Sequence, residues 1–139
     1  MINSLQIKNG LVNNRENIHL KLKKTFHSQH PKTHTKSVCA FANNNGGIMV
    51  FGVEDKPRKP IGLGGDLKTF KGYDTKSFAT VIQNCLSVNI DFEFYDFEQH
   101  IEGSKIVFGA IEIKEAYQKP VICKVSDGLV VPIPTLPFS

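Results

Sequence analysis

Histidine and lysine alternate with leucine through His19-Leu20-Lys21-Leu22-Lys23. In an extended chain that spacing sends the polar side chains to one side and the apolar ones to the other. Arg15, Lys24, Lys32 and Lys36 flank the segment. Cationic groups gathered in this way meet phosphate oxygens, so the chemistry to expect is a grip on a polyanion backbone and not on base sequence. Residues 1–37 carry seven Lys or Arg against one acid, Glu16, a balance of +6, whereas residues 38–139 carry ten against twelve acids. The net charge of +4 therefore conceals a cationic first quarter, and local fields steer partners more than totals do. A solvated basic surface that binds nothing is the alternative.

Two other groups of residues have the right types for chemistry. Asn43-Asn44-Asn45-Gly46-Gly47 precedes an apolar run. Glycines there leave backbone N–H groups open to an anion, and the same residues also suit a helix C-cap with a tight connection. His27, His30 and His34, with Cys39 nearby, are metal-ligating types. Their irregular spacing, with no second cluster to answer it, favours exposed loop histidines that touch phosphate when protonated, and no metal site is expected. Three cysteines at wide spacing, none in a CxxC pair, speak against a disulfide framework and for an intracellular protein, cytoplasmic or nuclear. No apolar run reaches the length of a membrane helix, and residues 1–10 lack the charged and apolar regions of a signal segment, so an unsecreted protein is expected. No Ser-His-Asp order, phosphate-binding loop or dinucleotide glycine pattern is present.

These residues need elements to hold them. Residues 1–15, with Asn-Gly and Asn-Asn pairs, are expected to be a flexible lead-in to a single domain over 16–139. Ile18, Leu20 and Leu22 predict a half-buried strand, and Thr25 to Lys32 a polar loop. Val38, Phe41 and Ala42 share a helix face, with Thr33 or Thr35 as cap. The run Ile48–Val53 predicts a central strand buried on both faces, followed by a charged turn and a short returning strand at Ile61-Gly62-Leu63. Phe78, Val81, Ile82, Cys85 and Leu86 mark a second helix capped by Asp74 or Thr75. Residues 91–98 and 105–113 form a hairpin about Glu102-Gly103-Ser104, and residues 121–125 and 128–133 a last one about Asp127-Gly128, with Pro132 and Pro134 shortening its final arm. The sum is an α+β fold: a mixed β-sheet with two helices, its large side chains supplied by ten Phe and no Trp.

The stretch AFANNNGGIMVFGVED (residues 40–55), followed by Ile61-Gly62-Leu63 and later by Lys119-Pro120-Val121, resembles the signature of the Schlafen and divergent Alba-like nucleic-acid-binding domains over roughly residues 16–134. The resemblance implies a lobe that in relatives pairs with a second one to clamp structured RNA. A homodimer, or a heteromer with another Schlafen-like chain, is therefore expected. Catalytic relatives carry three carboxylates that bind a divalent metal, Mg or Mn, and cut RNA. By that resemblance the acids here would be Glu16 with Glu54 or Asp55, but Lys21 stands where a further acid belongs. An ammonium in place of a carboxylate repels the cation such chemistry needs and strengthens a phosphate-binding face.

The resulting expectation is a nucleic-acid-binding lobe, RNA favoured over DNA, non-catalytic by itself. Arg15, Lys21, Lys23, Lys24, Lys32 and Lys36 would meet phosphate, with Asn43, Gly46 and Gly47 beside them. The alternatives are a metal-dependent endoribonuclease or a subunit of one, and a protein-interaction lobe that scaffolds a catalytic partner. No cofactor other than a nuclease's metal is expected. Relatives are sometimes described as ATP-binding, yet no residue here requires ATP.

Overall fold

The computed structural model describes residues 1–124 and 130–132. In chain order its elements are β1 (Ile7–Lys8), β2 (Leu11–Val12), β3 (Leu20–Lys23), α1 (Thr35–Asn43), β4 (Gly47–Phe51), α2 (Leu67–Lys71), α3 (Thr75–Cys85), β5 (Phe92–Ile101), β6 (Ser104–Ile113), β7 (Ile122–Lys124) and β8 (Val130–Pro132). A four-stranded sheet runs β3-β4-β6-β5. β3 lies parallel to β4 across the α1 crossover, and the other neighbours are antiparallel. The fold is α+β with a mixed sheet.

The unbroken apolar run of β4 makes sense in this sheet, because both of its faces are covered. Met49 and Phe51 pack with Val38 and Phe41 of α1, Phe78 and Ile82 of α3, and Ile111 and Ile113 of β6. Val50 points the other way, into a second cluster with Phe97, Phe108 and Ala110. That second face is closed by the N-terminal residues. Leu5 and Val12 are buried in it, the Leu5 N–H donates to Gln99 Oε1 at 2.7 Å, and Gln99 Nε2 donates back to the Leu5 carbonyl at 2.9 Å. The expected lead-in is thus a two-stranded ribbon packed on the sheet. Its Asn9-Gly10 turn, both residues at positive φ, was visible as a turn, but Leu5, Ile7 and Val12 are too sparse to announce a buried face.

Among the described residues the α-helices number three and not two. α2, five residues long, is too short to show a helical period, and it buries Phe70. α3 is capped by Asp74, which accepts from the Lys76 N–H at 3.0 Å. Neither Thr33 nor Thr35 caps α1. A 3-10 turn at Pro31–His34 runs directly into the helix, so the backbone is already helical there and the hydroxyls bond back to the carbonyls of His30 and Lys32. The expected returning strand at 61–63 is a backbone crossing instead. The N–H groups of Ile61 and Gly62 both donate to the Gly52 carbonyl, at 2.9 and 2.8 Å. Gly52 has φ +114°, and a Cβ there would lie 2.8 Å from the Gly62 Cα. The hairpin about Glu102-Gly103 forms as expected, both residues at positive φ. β7 and β8 pair with each other, while the Asp127-Gly128 turn and Pro134 lie outside the described residues.

Candidate nucleic-acid interface

β3 is an edge strand, and its phase decides where the cations go. The carbonyls of His19 and Lys23 accept from β4-side N–H groups, so Leu20 and Leu22 turn their backbone groups outward. Glu16 covers one of these, its Oε2 accepting from the Leu22 N–H at 2.8 Å. The Leu20 and Leu22 side chains join the ribbon-side cluster. Lys21 and Lys23, in register with Met49 and Phe51, stand on the helix side, half-buried. Arg15 adjoins the same outer edge through Glu16 and is exposed.

Beyond Lys23 the chain passes through Lys24, Thr25 and Phe26 to the histidines. A cavity of about 350 Å³ opens here, lined by Lys23, Lys24, Thr25, His27, Thr33 and His34. Lys32 and Lys36, both exposed, sit in the 3-10 turn and the first turn of α1 on either side of Thr33 and His34. Among the described residues, Lys24 alone of the expected phosphate-binding cations is in an ion pair, with Glu54 at 3.6 Å. Both partners are solvent-exposed, a pairing that contributes at most about 1 kcal/mol.

His34 is buried, not exposed as expected. Its ring stacks on Phe26 at 5.3 Å and 9°, meets Phe51 edge-on, and accepts at Nε2 from the His27 N–H at 3.1 Å. Burial, then the charges of His27 and Lys23, lower its pKa to about 4. Phe26, passed over in a polar stretch, is the hub of this region, with ring contacts to His34, Phe51, Phe70, Tyr73, Phe78 and Phe94. A lone Phe among polar residues has no periodic partner, so no sequence signal marked it.

Asn43, Gly46 and Gly47 have structural commitments that the anion reading did not foresee. Asn43 is buried, with Nδ2 donating to the Val121 carbonyl at 3.1 Å and Oδ1 accepting the Val121 N–H at 2.8 Å. It fastens the end of α1 to the strand-leading segment and has no polar atom left for a ligand in the open. The Gly46 N–H, expected to be uncovered, donates to the Phe41 carbonyl at 2.8 Å, and its carbonyl accepts from His19 Nδ1 at 2.9 Å. A Cβ on Gly47 would lie 2.3 Å from the Phe41 ring. The helix C-cap with a tight connection is what this segment builds.

The carboxylates that the resemblance assigned to a metal are differently employed. Glu16 covers the Leu22 N–H, Glu54 faces Lys24, Asp55 is exposed in the turn, and the half-buried Lys21 follows Glu16 along the same edge. Among the described residues no three His, Cys, Asp or Glu side chains are placed to hold an ion, so these residues do not fit a three-carboxylate centre. The thiol of Cys39 is buried and donates to the Val121 carbonyl at 3.3 Å. Burial, reinforced by Cys123, pushes its pKa up to about 12, so it is an inert core residue rather than a ligand or nucleophile.

A second cavity, of about 360 Å³, is lined by residues 25–30 and shares Thr25 and His27 with the first. Leu63, Asp66, Thr69 and Phe70 form its far wall. Sequence reasoning missed it because its walls are some forty positions apart.

Residues 16–131 match the family described as Schlafen, AlbA_2. A Ureaplasma parvum protein described as an uncharacterized ATP-binding protein is 31% identical over 130 residues, which is 87% of this chain but 36% of that one. This chain thus spans little more than a third of that relative's length. The N-terminal domain of a Nitrosomonas europaea protein, described as RecG-related and named for an ATP-dependent DNA helicase, superposes with a TM-score of 0.51 at 24% identity, over 80% of this chain and 73% of that one. That likeness bears on the fold. No helix among the described residues is long and apolar enough to cross a membrane.

Proposed function

The chain belongs to the Schlafen, AlbA_2 family, and from that premise we propose that it is a nucleic-acid-binding lobe that grips phosphate backbone, RNA before DNA, and performs no catalysis by itself. The observation that carries this reading is the cavity beyond β3, lined by Lys23, Lys24 and the histidines, with Lys21 on the same face of the strand. Lys21 and Lys23 have no acidic partner within ion-pair distance among the described residues, so their charge is available to a polyanion. The downward shift of His34, to which Lys23 and His27 contribute, fits a locally positive field. In this reading a second lobe, a further copy or another Schlafen-like chain, completes the clamp. The outer edge of the ten-residue β5, which pairs with no further strand among the described residues, is a suitable place for it.

A filter-binding titration of hairpin, duplex and single-stranded RNA and DNA at several salt concentrations tests the proposal. Affinity should fall steeply with salt, roughly 0.7–0.9 in logarithmic slope for each phosphate contacted. Lys21→Glu with Lys23→Glu should weaken binding at least about tenfold for all sequences alike. Affinity indifferent to salt would remove the phosphate reading. Stronger binding of DNA than of RNA hairpins would remove the RNA preference.

A further inference from the structure

The two cavities that share Thr25 and His27 divide polar chemistry between them. The first has Lys23 and Lys24 in its lining and no carboxylate. The second has Asp66 and no Lys or Arg, over a floor of Phe26, Leu63 and Phe70. Asp66 is exposed, and its carboxylate has no ion pair or hydrogen bond among the described residues. A phosphate is drawn to the first cavity and repelled from the second. The second instead suits a flat apolar group with an N–H donor on its rim, since a carboxylate accepts from an exocyclic amine. Gln29 and Thr69 add both donors and acceptors to the same cavity. At about 360 Å³ the space falls within the range of small-ligand pockets, roughly 300–1,000 Å³.

Thr25 and His27 line both cavities, so the two are neighbours across a single stretch of chain. One molecular unit carries an anion and an amine-bearing flat ring in that proximity: a nucleotide. We propose that the second cavity receives one unpaired nucleobase bearing an exocyclic amine, from a strand whose phosphate lies among Lys23, Lys24 and His27. A base in a duplex has its amine engaged and its faces stacked, so an unpaired nucleotide of a loop, bulge or single strand is the ligand. The inference rests on the phosphate reading above and deepens it from backbone grip to selection of unpaired positions.

Fluorescence anisotropy with three strands of equal length and charge tests it: oligoadenylate, oligouridylate and an abasic strand. The protein should bind oligoadenylate about five- to tenfold tighter than the abasic strand, the lower end of what one stacked base contributes, with oligouridylate between them. Asp66→Ala, which removes the acceptor, should bring the adenylate and uridylate affinities together and leave the salt dependence unchanged. Lys23→Glu should weaken all three by one common factor. Equal, salt-dependent affinity for adenylate and abasic strands overturns the base cavity and leaves the phosphate grip standing, whereas no binding by any strand removes both. Adenosine monophosphate that competes as tightly as the strand would assign the cavity to a free nucleotide and overturn the strand as its ligand.

Discussion

His34 sits in an environment far from the ordinary one of a histidine. Its Nε2 accepts the His27 N–H, which requires an unprotonated ring, and burial reinforced by His27 and Lys23 holds the pKa at about 4 against an ordinary 6.5. Above pH 6.5 the ring is neutral whether the chain is folded or not, and its contribution to stability is complete. Between pH 6.5 and about 4 the unfolded chain takes up a proton that the folded one refuses. Stability should then fall by about 1.4 kcal/mol per pH unit, roughly 3 kcal/mol across the window, and lose no more from this group below it. Urea midpoints measured from pH 7 to pH 4 should show that slope. In His34→Phe, which keeps a ring on Phe26, the slope should be shallower by this amount; an unchanged slope would assign the pH dependence to other groups.

At the scale of elements, the end of α1 is held by contacts of very different range. The stop at Asn44-Asn45-Gly46 was legible because residues with left-handed tolerance followed an apolar helical period. The role of Asn43 was not legible, because its partner Val121 is 78 positions away. Asn43→Ala leaves the buried N–H of Val121 without a partner and its C=O with the Cys39 thiol alone, and leaving one such group unpaired costs about 1–3 kcal/mol. A loss of about 2 kcal/mol is therefore expected in chemical denaturation, with β7, which follows Val121, loosening first in hydrogen exchange. A variant as stable as the parent would show that water replaces the amide there. The strand pattern behaved likewise: the composition of residues 91–98 foretold a strand, but not that Phe92 and Phe94 of β5 face the helices while Tyr95 and Phe97 face the ribbon.

For the whole molecule, the decisive feature is that the sheet is covered on both faces. The helices close one, and the ribbon of residues 7–12 with Leu5 helps close the other. Removal of residues 1–15 should lower the thermal midpoint and raise binding of an apolar dye, since Val50, Phe97 and Phe108 lose cover. If the shortened chain melts at the parent's temperature, the ribbon is an ornament rather than part of the core. The mixed sheet, the two longer helices, the Glu102-Gly103 hairpin and the cationic first quarter were determined by the sequence alone. Each is written in residues that are neighbours along the chain, where periodicity, capping and turn geometry act locally. The burial of His34, the commitment of Asn43 and Gly46, the carboxylates turned to backbone and lysine, and the paired cavities about residues 25–30 were decided only in three dimensions. They depend on contacts such as Phe26 with Phe70, Asn43 with Val121 and Leu5 with Gln99, and no local pattern records which distant residue will complete a hydrogen bond or close a wall.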